Sequence, residues 1–231
     1  MIKPTVVSRS KWMEARKELL AKEKALTKAR DALSAERREL PMVKLEKDYS
    51  FEGPSGTESL SDLFAGRSQL LVYHFMFGAD WEEGCPSCSF WADNYNGIIE
   101  HLAARDVTMV AISTASLERI SAYAQRLDWR FKWVSSSGST FNRDFNVTFS
   151  PDEKDSATYN YKDGVKVGEE MPGISVFYKT EAGDVLHSYS TFSRGLDMFN
   201  GAYHLLDIVP KGRDEEGLPW SMAWLKRRDQ Y

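Results

Sequence analysis

One stretch constrains the fold of this chain more than any other: GADWEEGCPSC, residues 78–88. The run before it, residues 70–77 (LLVYHFMF), is continuous in aliphatic and aromatic residues and reads as a buried strand. The run after it, SFWADNYNGIIEHLAAR, puts Phe90, Trp91, Tyr95, Ile98, Ile99 and Leu102 on one face of a helix reaching Arg105. Cys85 and Cys88 are the only cysteines, and they stand where the strand hands over to the helix. Pro86 suits the first helical turn, where its fixed φ helps and its missing N–H costs nothing. Cys85 then sits at a helix N-terminus, where unpaired N–H groups and the positive dipole end favour an anion. A thiolate is such an anion. The expectation is a low-pKa nucleophile at Cys85 and a resolving thiol at Cys88, one turn on.

Other uses of a C-x-x-C pair fit less well. Structural zinc asks for four ligands, there is no second cysteine pair, and His74 and His101 would complete a set only at irregular spacing. A structural disulfide closing so short a loop would stabilise little. No metal and no cofactor is therefore expected.

The 231 residues are 42 % hydrophobic, enough for one core with an appendage, and the net charge of -4 implies no nucleic-acid affinity. No apolar run reaches membrane-spanning length and the first residues show no secretory signal, so a cytoplasmic location without membrane contact is the expectation.

Residues 1–42 read as a helical arm and residues 43–231 as the folded domain with its tail. Residues 1–40 hold eleven Lys/Arg against six Asp/Glu, and the remainder 19 against 28. Trp12, Leu19, Leu26, Leu33 and Leu40 recur every seven residues along a helix from about residue 10 to 40, which Pro41 ends. One apolar heptad position is too narrow for a convincing coiled coil. The leucine edge could lie on its own domain or serve as a homodimer arm.

Beyond the arm, residues 42–52 alternate as a strand, residues 53–57 turn, and a short helix stops at Gly66. Residues 106–114 form a second buried strand. Ser116 is placed to cap a helix through Leu127, and residues 131–135 are a further strand. This order implies β-α-β crossovers and a parallel core. Residues 159–167 read as a hairpin turning at Asp163-Gly164. Residues 174–178 and 185–192 read as an antiparallel pair, residues 195–208 as the closing helix, and the tail as a cover over the surface.

A strand, C-x-x-C at a helix start, a crossover, then X-Pro before an antiparallel pair and a last helix resembles the thioredoxin-like order over residues 43–208. The approach FEGPSGTESLSDLFAGRSQLLVYHFMF also resembles peroxiredoxins. More narrowly, YHFMFGADWEEGCPSCSFWAD, PGISVFY and YSTFSRGLDMFNGAYHLLDIVPKGRDE are similar to the DUF899 family of predicted thioredoxin-like dithiol–disulfide oxidoreductases. The resemblance implies an α/β fold with a mixed sheet flanked by helices, Cys85 and Cys88 as redox pair, and Pro172 as the proline that thioredoxins hold in cis, with an ordinary strand-start proline as the alternative. Trp81, Met171 and Pro172 would then contact substrate. Two departures stand out: Trp81 does not directly precede Cys85, and Glu82 occupies the position where peroxiredoxins carry threonine.

His74 reads either as a hydrogen-bonded core histidine or as an accessory group, and Arg194 either as a charge near the thiolate or as a surface helix-start arginine. Asp80, Glu82 and Glu83 form an acidic lip that, close to the sulfur, would raise the Cys85 pKa. The leading function is thiol–disulfide exchange with a disulfide-containing protein or small thiol substrate and a separate electron donor. The alternatives are a peroxiredoxin-like thiol peroxidase and a non-catalytic thioredoxin-like binding module.

Overall fold

A computed structural model describes residues 4–231, which divide into two units after Pro41. In the first, the Ser8 hydroxyl accepts from the Lys11 N–H and starts α1 (Arg9–Arg38), and basic Arg37 and Arg38 suit its C-terminal end. At 1.5 Å per residue the helix is about 45 Å long. None of its residues is buried; Leu19, Leu26 and Leu33 are 51 %, 63 % and 46 % exposed.

The second unit carries ten strands. β1 (Val43–Lys44), β2 (Ser50–Gly53) and β3 (Gly56–Ser59) precede β4 (Gln69–His74), which leads into α2 (Pro86–Ala92) and α3 (Ile99–Ala103). Then come β5 (Val107–Ser113), α4 (Leu117–Arg126), β6 (Lys132–Ser135), α5 (Phe141–Asp144), β7 (Ala157–Tyr159) and β8 (Lys162–Val165). β9 (Gly173–Lys179), β10 (Val185–Phe192) and α6 (Gly201–Leu206) complete the order. Eight strands form one sheet in the order β1-β10-β9-β4-β5-β6-β2-β3, and β7 pairs with β8 separately. β4 runs parallel to β5, β5 parallel to β6, and β9 antiparallel to both β4 and β10. That central arrangement is thioredoxin-like: the strand leading to the cysteines is flanked by one parallel and one antiparallel neighbour.

Alternation along β4 sorts the core into two layers. Tyr73, Phe75 and Phe77 pack with Cys88, Trp91, Tyr95, Tyr123 and Trp133 in one cluster. Leu70 and Val72 pack with Phe64, Phe141, Phe145 and Phe177 in the other.

Three local expectations give way to side-chain chemistry. The helix after the cysteines breaks between α2 and α3, because the Asn94 amide donates back to the Phe90 and Trp91 carbonyls and so competes with the helical ladder. The closing helix divides into a 3-10 segment (Ser193–Phe199) and α6, the latter started by the Asn200 side chain accepting from the Tyr203 N–H. The hairpin turns at Asn160 and Tyr161, both at positive φ (51° and 60°), while Asp163 and Gly164 lie within β8.

Candidate active site

Beyond β4 the chain still pairs with its neighbour: the Phe75 N–H donates to the Ile112 carbonyl at 3.0 Å and the Ala115 N–H to the Phe77 carbonyl at 2.9 Å. It then turns sharply. The Trp81 ring folds back on Gly78, where any added Cβ would lie 2.7 Å from Trp81 Nε1 and push the ring away. Arg119 Nη1 donates to the Ala79 and Trp81 carbonyls at 2.6 and 3.0 Å. The Cys85 N–H returns to the Met76 carbonyl at 3.0 Å. Cys85 becomes the N-cap of α2 (φ -56°, ψ 129°), with Pro86 in the first turn.

Both thiols are free, Cys85 partly exposed and Cys88 buried. Cys85 is held down to about 6: the Cys88 thiol donating to it is the largest cause, burial opposes, and the Cys88 and Ser87 N–H groups and the Ser87 hydroxyl add donors. Burial pushes the Cys88 thiol well up, and the hydrogen bond and charge of Cys85 add to that. The shared proton therefore belongs to Cys88. Cys85 is thus the member of the pair that favours the thiolate, with four donors in place of a conventional cap.

A cavity of about 210 Å³ opens against Cys88, lined mainly by apolar side chains that include Met76, Trp91, Leu196 and Met222. Met171, Pro172 and Arg194 also line it, so three of the expected site residues converge with Cys88. The Met171–Pro172 bond differs from expectation. Every peptide bond among the described residues is trans, and Pro172 is a proline directly before β9, after the Met171 N–H has donated to the Val147 carbonyl at 2.8 Å. Arg194 is 85 % exposed on its side chain and pairs with Asp197 at 2.9 Å. Beside this wall, buried Glu170 accepts from Thr114 Oγ1 at 2.7 Å and Thr148 Oγ1 at 2.9 Å, and burial pushes its carboxyl up to about 7.

Two expected residues lie elsewhere. Trp81 is not among the cavity residues, its ring being taken up by Gly78. His74 faces the other layer, stacked on Phe141 and Phe145, with Nε2 2.8 Å from Ser175 Oγ. Burial, then His187, lowers its pKa to about 3, so it stays neutral.

The acidic lip also differs from expectation, because Glu83 is neutralised. It meets Arg227 Nη1 at 2.7 Å and Arg126 Nη1 at 2.5 Å, and the leading causes of the lowered Cys85 pKa are donors from Ser87 and Cys88 rather than the lip. Sequence reasoning missed Ser89, Tyr123 and Arg227, which surround this loop through contacts across more than a hundred residues in the case of Arg227. The one signal available was composition: the tail mixes Trp220, Met222, Trp224 and Leu225 with its charges, more apolar surface than a solvated tail needs.

Among the described residues, no group of three or more His, Cys, Asp or Glu is arranged to hold a metal ion. No helix among them is long and apolar enough to cross a membrane.

Several solved structures are similar in fold. Peroxidoxin BcpB from Mycobacterium tuberculosis is 16 % identical, with 69 % of this chain and 92 % of that one covered at a TM-score of 0.45. A cysteine-to-serine mutant of peroxiredoxin Q from Xanthomonas campestris is 14 % identical, covering 73 % and 95 % at 0.47. A Chlorobium tepidum protein assigned as a thiol:disulfide interchange protein, DsbE, is 14 % identical, covering 70 % and 96 % at 0.41. No curated protein matches the sequence. The model of one family, described as bacterial protein of unknown function (DUF899), matches residues 1–231, and the chain belongs to that family.

Proposed function

We propose that this protein is a thiol–disulfide oxidoreductase in which Cys85 is the nucleophile and Cys88 the resolving thiol. One observation carries the reading: four donors converge on the partly exposed member of the pair and hold it down to about 6, while the buried member keeps its proton. The Cys85 thiolate attacks one sulfur of a substrate disulfide, forming a mixed disulfide and expelling the other sulfur as a thiolate. Cys88 gives up its proton, attacks Cys85 Sγ and releases the second substrate thiolate. The substrate is reduced by two electrons and the Cys85–Cys88 pair oxidised by two; a dithiol donor reverses the change. The apolar wall around Cys88, with Met171 and Pro172, supports a role in seating the substrate.

Single cysteine variants test this. Cys88→Ser should accumulate mixed disulfides on Cys85, seen by mass spectrometry, and Cys85→Ser should form none and lose all insulin reduction. If both variants reduce insulin like the parent, the assignment is wrong. If the parent turns over peroxide but no disulfide, the reading moves to the peroxidase alternative. A reduction potential near about -270 mV would mark a reductant and one near about -120 mV an oxidant.

The exposed leucine edge of α1 supports a second, separate proposal, pairing with α1 of a second copy. Leu19→Glu with Leu26→Glu should then halve the sedimenting mass. A parent that sediments as a monomer, or a double variant that stays dimeric, overturns it.

A further inference from the structure

The residues after α6 do more than cover the surface. Arg227, only 16 % exposed on its side chain, spreads its guanidinium over the loop that delivers Cys85. Nη2 donates to the Gly84 carbonyl at 2.8 Å, Nε to Tyr123 Oη at 2.8 Å, and Nη1 meets Glu83 Oε2 at 2.7 Å. Tyr123 Oη lies 2.9 Å from Ser89 Oγ, which in turn donates to the Cys85 carbonyl at 2.9 Å. The two carbonyls on either side of the Cys85 N–H and Cα are thus tied, directly or through two hydroxyls, to one side chain. The Gly84–Cys85 peptide is gripped at both edges: its carbonyl by Arg227, its N–H by the Met76 carbonyl at 3.0 Å.

Gly84 is closely packed at its Cα. An added Cβ there would lie 2.7 Å from the Phe75 ring and 3.0 Å from the Tyr123 ring. The Gly84 carbonyl also accepts from Tyr123 Oη, at a longer 3.3 Å; without Arg227 it would lose its shorter, charge-assisted donor and Tyr123 its guanidinium partner, so the peptide would shift toward the remaining hydroxyl, and Cys85 with it. The thiolate depends on aim: its donors are the Ser87 and Cys88 N–H groups, the Ser87 hydroxyl and the Cys88 thiol, all fixed in the first turn of α2.

We propose that Arg227 is a positioning residue for the Cys85 thiolate, its planar fork fixing the Gly84–Cys85 peptide so that the sulfur meets its donors. The inference rests on Cys85 being the reactive thiol. It makes a sharp distinction between fork and charge: a lysine keeps the cation near Glu83 but cannot grip Gly84 and Tyr123 together.

The test is titration of the Cys85 thiolate by ultraviolet absorbance and by the pH profile of its alkylation. The variants are Arg227→Gln, Arg227→Lys and, as a control, Arg228→Gln. Arg228 anchors the same tail, to the Leu127 carbonyl and Asp93, without touching the cysteine loop. Arg227→Gln should raise the midpoint by about one pH unit, a tenfold loss of thiolate at a fixed pH below it. Arg227→Lys should recover less than half of that, and Arg228→Gln should leave it in place. An unchanged midpoint in Arg227→Gln overturns the proposal, as does full recovery by lysine, which would mean charge alone, or an equal shift in Arg228→Gln, which would mean general loosening of the tail. Failure of the underlying reading looks different: the parent itself would then show no thiol titrating below about pH 8.

Discussion

Tyr73 and His74 are consecutive residues of one strand, both fully buried, and they face different chemistry. On the Tyr73 side the hydroxyl donates to the Cys88 carbonyl at 3.3 Å, and the layer is filled by α2 and its thiols. On the His74 side the imidazole joins a hydrogen-bonded row through Ser175 and Ser190 to His187, at 2.8, 2.8 and 2.7 Å, beneath stacked phenylalanines. Each layer has titratable groups, hydrogen bonds and aromatic packing. Each also borders a cavity, one lined by Cys88 and the other by Phe145, His187 and Ser190; what separates them is that only the first holds a thiol with converging donors. A buried polar residue is therefore weak evidence of activity; the arrangement of donors around a reactive atom is stronger.

The largest expected effect belongs to the His74 layer. Phe141 is fully buried and packs on Tyr49, Phe51, His74 and Phe145. Phe141→Ala should cost about 3–5 kcal/mol in denaturant unfolding and leave the Cys85 titration midpoint where it is. A moved midpoint would break the separation of the two layers.

An intermediate effect comes from a pair of opposed titrations. His74 has its pKa lowered to about 3 by burial, so stability should rise with pH between 3 and about 6.5, where the unfolded chain holds the extra proton. Glu170 has its carboxyl raised to about 7, so stability should fall with pH from about 4.5 to 7, where the folded chain holds it. Over the shared window of about two pH units each contributes on the order of 2–3 kcal/mol with opposite sign, and the parent should be nearly flat there from these two groups. Urea unfolding at several pH values would separate them: His74→Gln should expose the falling slope and Glu170→Gln the rising one. If neither substitution changes the slope, both groups titrate normally and the burial argument fails for both.

The smallest stability effect lies nearest the thiols. Tyr73→Phe removes one long hydrogen bond, and should cost about 1 kcal/mol or less. Yet that hydroxyl also helps Cys88 ionise, so release of the mixed disulfide should slow several-fold in single-turnover measurements. Equal loss of stability and unchanged release would reverse the comparison.

How much of this was legible beforehand depends on the range of the interactions involved. The β4 strand and the start of α2 were readable because a continuous apolar run, a proline and two cysteines act over neighbouring residues. The gap between α2 and α3 was hidden, since Ile98, Ile99 and Leu102 keep the apolar spacing while Asn94 breaks the backbone. The resemblance to thioredoxins points to Trp81 as a substrate contact; its ring packs on Gly78 and does not line the cavity at Cys88, a placement set by the turn at Gly78 rather than by any local pattern. The hairpin was misplaced because Asp163-Gly164 is the stronger turn signal in isolation, whereas the backbone turns at Asn160-Tyr161. Arg227 could not be found by any local pattern, since its partners are set by how the tail packs.

The separation of Gly84 and Arg227, 143 residues, has a consequence for how the protein is made. At about 5–20 residues per second, synthesis runs for about 7 to 30 s after Gly84 before Arg227 exists. Contacts so distant in sequence also close late in folding, after the strands and helices near the cysteines have formed. The nascent chain therefore passes through a period in which both cysteines are present but the loop is not clasped; on the proposed role of Arg227, Cys85 would then be the weaker acid and the poorer nucleophile. Reactivity would then arrive last, after the layer that buries Cys88 is built, and the growing polypeptide would be less open to premature thiol oxidation than the finished protein.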